Sequence, residues 1–98
     1  MYKSLNVEAF SILDIMFYTY VLYSEIYDKI YIGFTSDLEK RLLSHNILAA
    51  KGWTIKYRPW KLVYTENFEV KDDAMRREKA LKTSAGRRFI REHINKVK

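Results

Sequence analysis

A chain of 98 residues, 48% hydrophobic and 31% charged, with three Gly and one Pro, has the length and apolar content of one folded domain and excludes a multidomain enzyme. The absence of Cys excludes disulfides, Cys-ligated zinc and a thiolate nucleophile, and makes a cytoplasmic protein the expectation. The net charge of +6 is uneven: residues 1–70 hold eight Lys/Arg against eight Asp/Glu, and residues 71–98 hold ten against four. A basic C-terminal unit suits a polyanionic partner, because each cation near a phosphate releases a condensed counterion; a solvated helical surface is the plainer reading.

Residues 1–16 read as an N-terminal extension, helical or disordered, that the expected core does not need, with Met16 as an alternative start. Glu8 and Asp14 break any secretory apolar run, and the uncharged stretch Ile15 to Ser24 is ten residues, half of the roughly 20 a membrane helix requires. No membrane partner is expected. Residues 17–98 then form the domain.

Residues 17–23 and 29–34, rich in aromatic and β-branched side chains and separated by the short SEIYD segment, predict an antiparallel hairpin. In the second strand Ile30, Ile32 and Phe34 share one face and Tyr31 takes the other. Ser36 with Glu39 three residues on is a capping-box pattern that predicts a helix over about 37–49. Its apolar arc holds Leu38, Leu42 and Ala49, and Arg41 and His45 lie four apart on the margin, toward the sheet's edge.

Residues 50–59 read as a loop, with Pro59 at the entrance of a third strand over 60–66. Lys71 to Thr83 predicts a helix with Ala74, Leu81 and Ala85 on one side; Gly86 reads as a stop before a last helix carrying Phe89, Ile90 and Ile94. The expected architecture is α+β: a small three-stranded antiparallel sheet flanked by helices, in the order ββαβαα.

Glu78 stands inside the arc of Ala74, Leu81 and Ala85, where an amphipathic helix ought to present an apolar side chain. A carboxylate there calls for a salt bridge, a raised pKa or a bound cation. Eight tyrosines are more often core-edge aromatics than catalytic groups, and Gly33 in a strand marks either a bulge or a close backbone approach. Trp53, Tyr57 and Trp60 lie near basic residues and read as base-stacking groups or, for the two tryptophans, as core and loop anchors. What singles out Tyr20, Tyr31, Gly33, Arg41, His45 and Glu78 is their combination of phenols, guanidinium, imidazole and carboxylate on adjacent elements.

That ordered set resembles the GIY-YIG nucleases, a family that includes homing endonucleases, some restriction enzymes and the N-terminal nuclease domain of bacterial excinucleases. The resemblance covers about residues 17–95. Tyr31-Ile32-Gly33 matches the second half of the signature, and Tyr18-Thr19-Tyr20 stands for the first half, agreeing in its final Tyr. Tyr31 follows Tyr20 by eleven positions, Arg41 follows Tyr31 by ten and His45 follows Arg41 by four, as the pattern implies. RPWKLVY, and later Ala74 to Lys79, are similar to the small single-domain bacterial branch, where Glu78 corresponds to the metal-binding glutamate.

The resemblance implies a metal-dependent endonuclease hydrolysing DNA phosphodiesters, with RNA not excluded. Glu78 would hold one divalent cation, Mg²⁺ or Mn²⁺; Tyr20 or Tyr31 would take a proton from water, with His45 as acceptor or relay; Arg41 would offset charge on the phosphate. Lys40, Arg76, Arg77, Lys82, Arg87 and Arg88, with Gly33, are the expected nucleic-acid contacts, and Asn95 is the sole candidate for the family's late asparagine. A domain this small leaves no place for a separate recognition module, so structure-selective cleavage of the repair or recombination type, or targeting by a protein partner, is expected over sequence-specific cutting. The alternative is a nucleic-acid-binding module that keeps the fold and does not cut.

Overall fold

The computed structural model describes residues 15–97, so the expected extension lies, through residue 14, outside the described residues. β1 (Phe17–Ser24) and β2 (Lys29–Thr35) form the expected hairpin. Its turn closes through Asp28 at φ 53°, a left-handed conformation that Asp tolerates better than most residues. β3 (Lys61–Phe68) pairs with the other side of β1, giving the antiparallel order β2-β1-β3 with β1 in the centre and an irregularity between Val21 and Leu22.

The period-two alternation divides β1 between two cores. Val21 and Tyr23 join Ile32, Leu81, Ile90 and Ile94 under the C-terminal helices, while Tyr20 and Leu22 pack with Trp60 on the opposite face. Ile30 packs against the first cluster and Tyr31 against the second, as the alternation requires. β1 is therefore covered on both sides, and Thr19 through Ser24 are all buried. Each fully buried Leu or Ile contributes on the order of 2 kcal/mol, which is what fixes the register.

α1 (Leu38–Leu43) begins one residue later than the capping-box pattern suggests. Asp37 is the cap, its carboxylate accepting from the Lys40 N–H at 3.1 Å; Thr35 Oγ1 accepts from the Asp37 N–H and leaves Ser36 exposed. The helix also stops being α-helical early. Residues Ser44–Leu48 form a π turn, closed by Ala49 N–H to the Ser44 carbonyl at 3.0 Å, and Ala49 falls outside the helix. The physical reason is Arg58: its Nε donates to the His45 carbonyl at 2.6 Å, and Nη2 to those of Ala49 (2.9 Å) and Ser44 (3.3 Å). A side chain bound to successive carbonyls opens the ordinary ladder.

Within the expected loop, Trp53–Tyr57 forms a 3-10 turn that brings Thr54 into the interior. α2 (Lys71–Leu81) and α3 (Ser84–Val97) complete the order ββαβαα. Gly86 does not stop a helix; it lies in the first turn of α3, where a Cβ would come within 2.3 Å of the Ala80 carbonyl oxygen and 2.5 Å of Leu81 Cα. The junction is instead made by Thr83, whose Oγ1 accepts from the Gly86 N–H at 3.2 Å as an N-cap does. Ala85, expected on the apolar side, is exposed.

Candidate functional site

β2 is an outer strand, and a cleft of about 430 Å³ opens at its C-terminal end. Tyr20 and Tyr31 enter it from the sheet, Arg41 from α1, and Lys71 and Glu78 from α2. Gly33 forms part of the wall for a specific steric reason. It is paired with Tyr20, and a Cβ at that position would lie 2.7 Å from the Tyr20 hydroxyl. The glycine makes room for a phenol lying across the strand, where the sequence reading offered a bulge or a DNA approach.

Behind this wall stands His45, buried by the π turn. Its Nε2 lies 3.1 Å from Tyr20 Oη and its Nδ1 3.3 Å from Thr54 Oγ1. Burial first, then the charges of Arg41 and Arg58, holds the imidazole below its ordinary pKa, so it is neutral at pH 7. Burial first, then the neighbouring Tyr31, pushes the Tyr20 phenol up, against the lowering effect of Arg41. A neutral phenol beside a neutral imidazole assigns the polarity: Tyr20 donates to Nε2, and Nδ1–H donates to Thr54. The Tyr31 ring lies 4.6 Å from that of His45 and 6.2 Å from that of Tyr20.

Glu78 resolves its place on the apolar arc with Lys82 one turn on, Nζ to Oε2 being 2.9 Å, while its side chain keeps 18% exposure to the cleft. An exposed i,i+4 pair of this kind stabilises by only about 0.3–0.5 kcal/mol, so Lys82 is readily displaced. Among the described residues no cluster of three His, Cys, Asp or Glu is present.

The expected nucleic-acid contacts divide. Lys40 lies beside Arg41 in a recess that shares Thr35, Ser36 and Arg41 with the cleft, and Lys82 and Arg87 line a groove on its other side. Arg76 instead pairs with Asp73 on the surface of α2, and Arg77 donates to both Glu66 oxygens at 3.1 and 2.9 Å on the β3 side. Arg88 and Asn95 are exposed on α3 and do not line the cleft. Sequence reasoning missed Lys71, Thr54 and Arg58. Lys71 had a legible signal, being about two turns before Glu78 on the same face of the same helix; the other two act through a turn whose geometry no periodicity announces.

The domain model of the GIY-YIG catalytic domain matches nearly all of the described chain, over residues 16–96. A UPF0213 protein of Streptococcus agalactiae is 38% identical over 82 residues, 80% of this chain and 91% of its own length. One from Staphylococcus saprophyticus is 40% identical over 55 residues, 56% of this chain and 67% of its own. The solution NMR structure of a UPF0213 protein from Bacillus halodurans is 26% identical, with a TM-score of 0.48 over 79% of this chain and 83% of that one. No helix among the described residues is long and apolar enough to cross a membrane. Since the match runs from the start of β1 into α3, over the same elements that build the cleft, the chain belongs to the GIY-YIG family of nuclease domains.

Proposed function

We propose that the protein is a metal-dependent endonuclease that hydrolyses DNA phosphodiesters and selects its substrate by structure rather than by sequence. The observation that carries this reading is the convergence of two phenols, a guanidinium and a carboxylate on one open cleft, with a neutral imidazole behind the buried phenol.

The donor set fits a hard divalent cation. Glu78 is one partly exposed carboxylate in a polar cleft, the arrangement by which Mg²⁺ or Mn²⁺ is held through one protein oxygen plus substrate phosphate and water. Such an ion, when bound, neutralises phosphate charge and acidifies water. Arg41 binds two phosphate oxygens and offsets the charge that grows on them; Lys71 adds a second cation across the cleft.

The proton leaves along a relay of side chains. Tyr31, half-buried and open to the cleft, takes a proton from the attacking water as it passes its own to Tyr20, and Tyr20 passes its proton to His45 Nε2. Water oxygen bonds to phosphorus as the bond to the leaving oxygen breaks; that oxygen takes a proton from solvent in the open cleft, and His45, left as imidazolium, returns its proton to solvent. Thr54 fixes the tautomer that leaves Nε2 free to accept. The negative charge of bound phosphate reduces the influence of Arg41 and makes the imidazole a better base when substrate is present.

A second reading, a nucleic-acid-binding module that does not cut, is favoured by one observation: Glu78 is already paired with Lys82. Cleavage of supercoiled, single-stranded and branched DNA, and of RNA, with Mg²⁺, Mn²⁺ or EDTA separates the two. Activity in Mg²⁺ or Mn²⁺ that is lost in EDTA and in Glu78→Ala supports the nuclease. Salt-sensitive binding that survives both, without cutting on any substrate, supports the module or an enzyme that needs a targeting partner.

A further inference from the structure

The outer edge of β2 carries a second groove, of about 360 Å³, at the opposite end from the cleft. Tyr31 lines both spaces, and Lys82, which pairs with Glu78, lines the groove, so the two are neighbours along one strand edge. One wall comes from the helical side of the sheet and carries Lys82, Arg87 and Arg91; the other carries Lys29 and the indole of Trp53. Arg91 is engaged by Asp28, with Nη1 to Oδ1 at 2.6 Å, but the groove still holds four cations against that one carboxylate.

Trp53 is 47% exposed, while Trp60 beside it is buried. Its ring is nonetheless held in place, 4.7 Å from Tyr57 and 5.9 Å from Trp60, centroid to centroid. A fixed indole half-open to a basic groove is a stacking platform beside a phosphate track. Bases inside a duplex already stack on each other and turn no face toward such a ring, whereas unpaired bases do. β2 rises about 3.3 Å per residue, so Lys29 to Gly33 spans about 13 Å, enough for a short run of nucleotides leading to the cleft.

We infer that this groove is a subsite for a single-stranded segment adjoining the cleaved phosphate, with Trp53 stacking on an unpaired base and Lys29, Lys82 and Arg87 tracking the backbone. The inference rests on the reading of the cleft as a phosphodiester-cleaving site and narrows its substrate to DNA that offers an unpaired stretch, such as a flap, a gap or a splayed junction.

The test is fluorescence anisotropy in EDTA at low salt, with labelled oligothymidylate and a labelled duplex of equal length. Wild type is expected to prefer the single strand; Trp53→Ala is expected to narrow the single-strand-to-duplex affinity ratio about tenfold, the effect of one lost stacked base. Trp53→Phe should recover much of it. Iodide quenching of wild-type tryptophan emission supplies the same answer without a substitution, since the exposed Trp53 should be shielded by saturating oligothymidylate. A ratio unchanged in Trp53→Ala, or quenching unchanged at saturation, overturns the subsite. Cleavage with Mg²⁺ that depends on Glu78 but accompanies such a result leaves the nuclease reading standing. Trp53-dependent binding without cleavage under any condition leaves the single-strand groove standing and overturns cleavage by this chain acting alone.

Discussion

The sheet has two outer strands, and they are finished differently. Along β3, Arg77 is tied to Glu66, which also accepts from the Tyr64 hydroxyl; Phe89 lies under the Arg77 guanidinium at 5.8 Å and meets Tyr64 edge-on. His93 Nε2–H donates to the Val63 carbonyl at 3.0 Å, covering part of that edge. Along β2, Lys40, Arg41 and Lys71 face shared open space and take part in no ion pair found among the described residues. Charges that satisfy each other build structure, and charges aimed at a common space are available to a ligand. Arg77 and Glu78 are adjacent in sequence and fall on opposite sides of this division.

The largest effects are expected on the β2 side. Glu78→Gln and Arg41→Ala should each lower the cleavage rate by about 10³-fold or more, the scale of losing a group that meets transition-state charge, with thermal midpoints within a few degrees of wild type. Arg41→Lys should recover little, because an ammonium cannot grip two oxygens at once. Cleavage of a plasmid and a melting curve on the same preparations check both. Next comes Tyr20→Phe, which interrupts the proposed relay and should cost about 10²-fold or more in rate. Tyr64→Phe, the matching change on the β3 side, should leave cleavage untouched. An equal loss in both would break the comparison.

The elements were largely legible because periodicity is a local property. Alternation in FYTYVLY and KIYIGF marks two strands and separates Tyr31 from Ile30 and Ile32, and the helix over Lys71 to Leu81 follows from its apolar spacing. The convergence of Tyr20, Tyr31, Arg41 and Glu78 was legible only through spacing known from a family, since no local pattern says that α2 crosses the end of β2. What escaped was long-range. Arg58 reshapes the turn carrying His45 from thirteen residues away, and Gly86 belongs to a helix junction made by Thr83, so a glycine that reads as punctuation is a packing position. The basic helices likewise gave a charge total without telling which cations, such as Arg77, are already spent on Glu66.

A smaller effect sharpens the comparison through pH. The relay needs neutral His45, whose folded pKa lies below its ordinary 6.5. Activity should therefore hold as pH falls through 6.5 and then drop about tenfold per unit below the folded value. Stability carries the same sign. Above 6.5 both states leave the ring neutral; below it the unfolded chain takes up a proton first, so stability begins to fall there and the loss levels off below the folded pKa. His45→Gln should remove that part of the pH dependence from denaturant melts, and its persistence would assign the slope to other groups.

The smallest expected effect on catalysis is the one that tests the β3 side by itself. Glu66→Ala releases Arg77 and leaves the Tyr64 hydroxyl without its carboxylate. Because Arg77 and Glu66 are part-exposed, at 36% and 27%, water replaces much of what is lost, and the cost should be about 1 kcal/mol, or a fall of about 4–8 °C in Tm. The cleavage rate at 25 °C should stay within about twofold of wild type, since most of the chain remains folded after so small a loss. Freed Arg77 adds one exposed cation and removes one carboxylate on a face that the cleft does not share, so non-specific binding to duplex should rise slightly at low salt and return to the wild-type value as salt is added. A rate loss as large as that of Glu78→Gln would mean that the two edges are coupled through α2, and that the division between paired and open charges does not separate structure from function here.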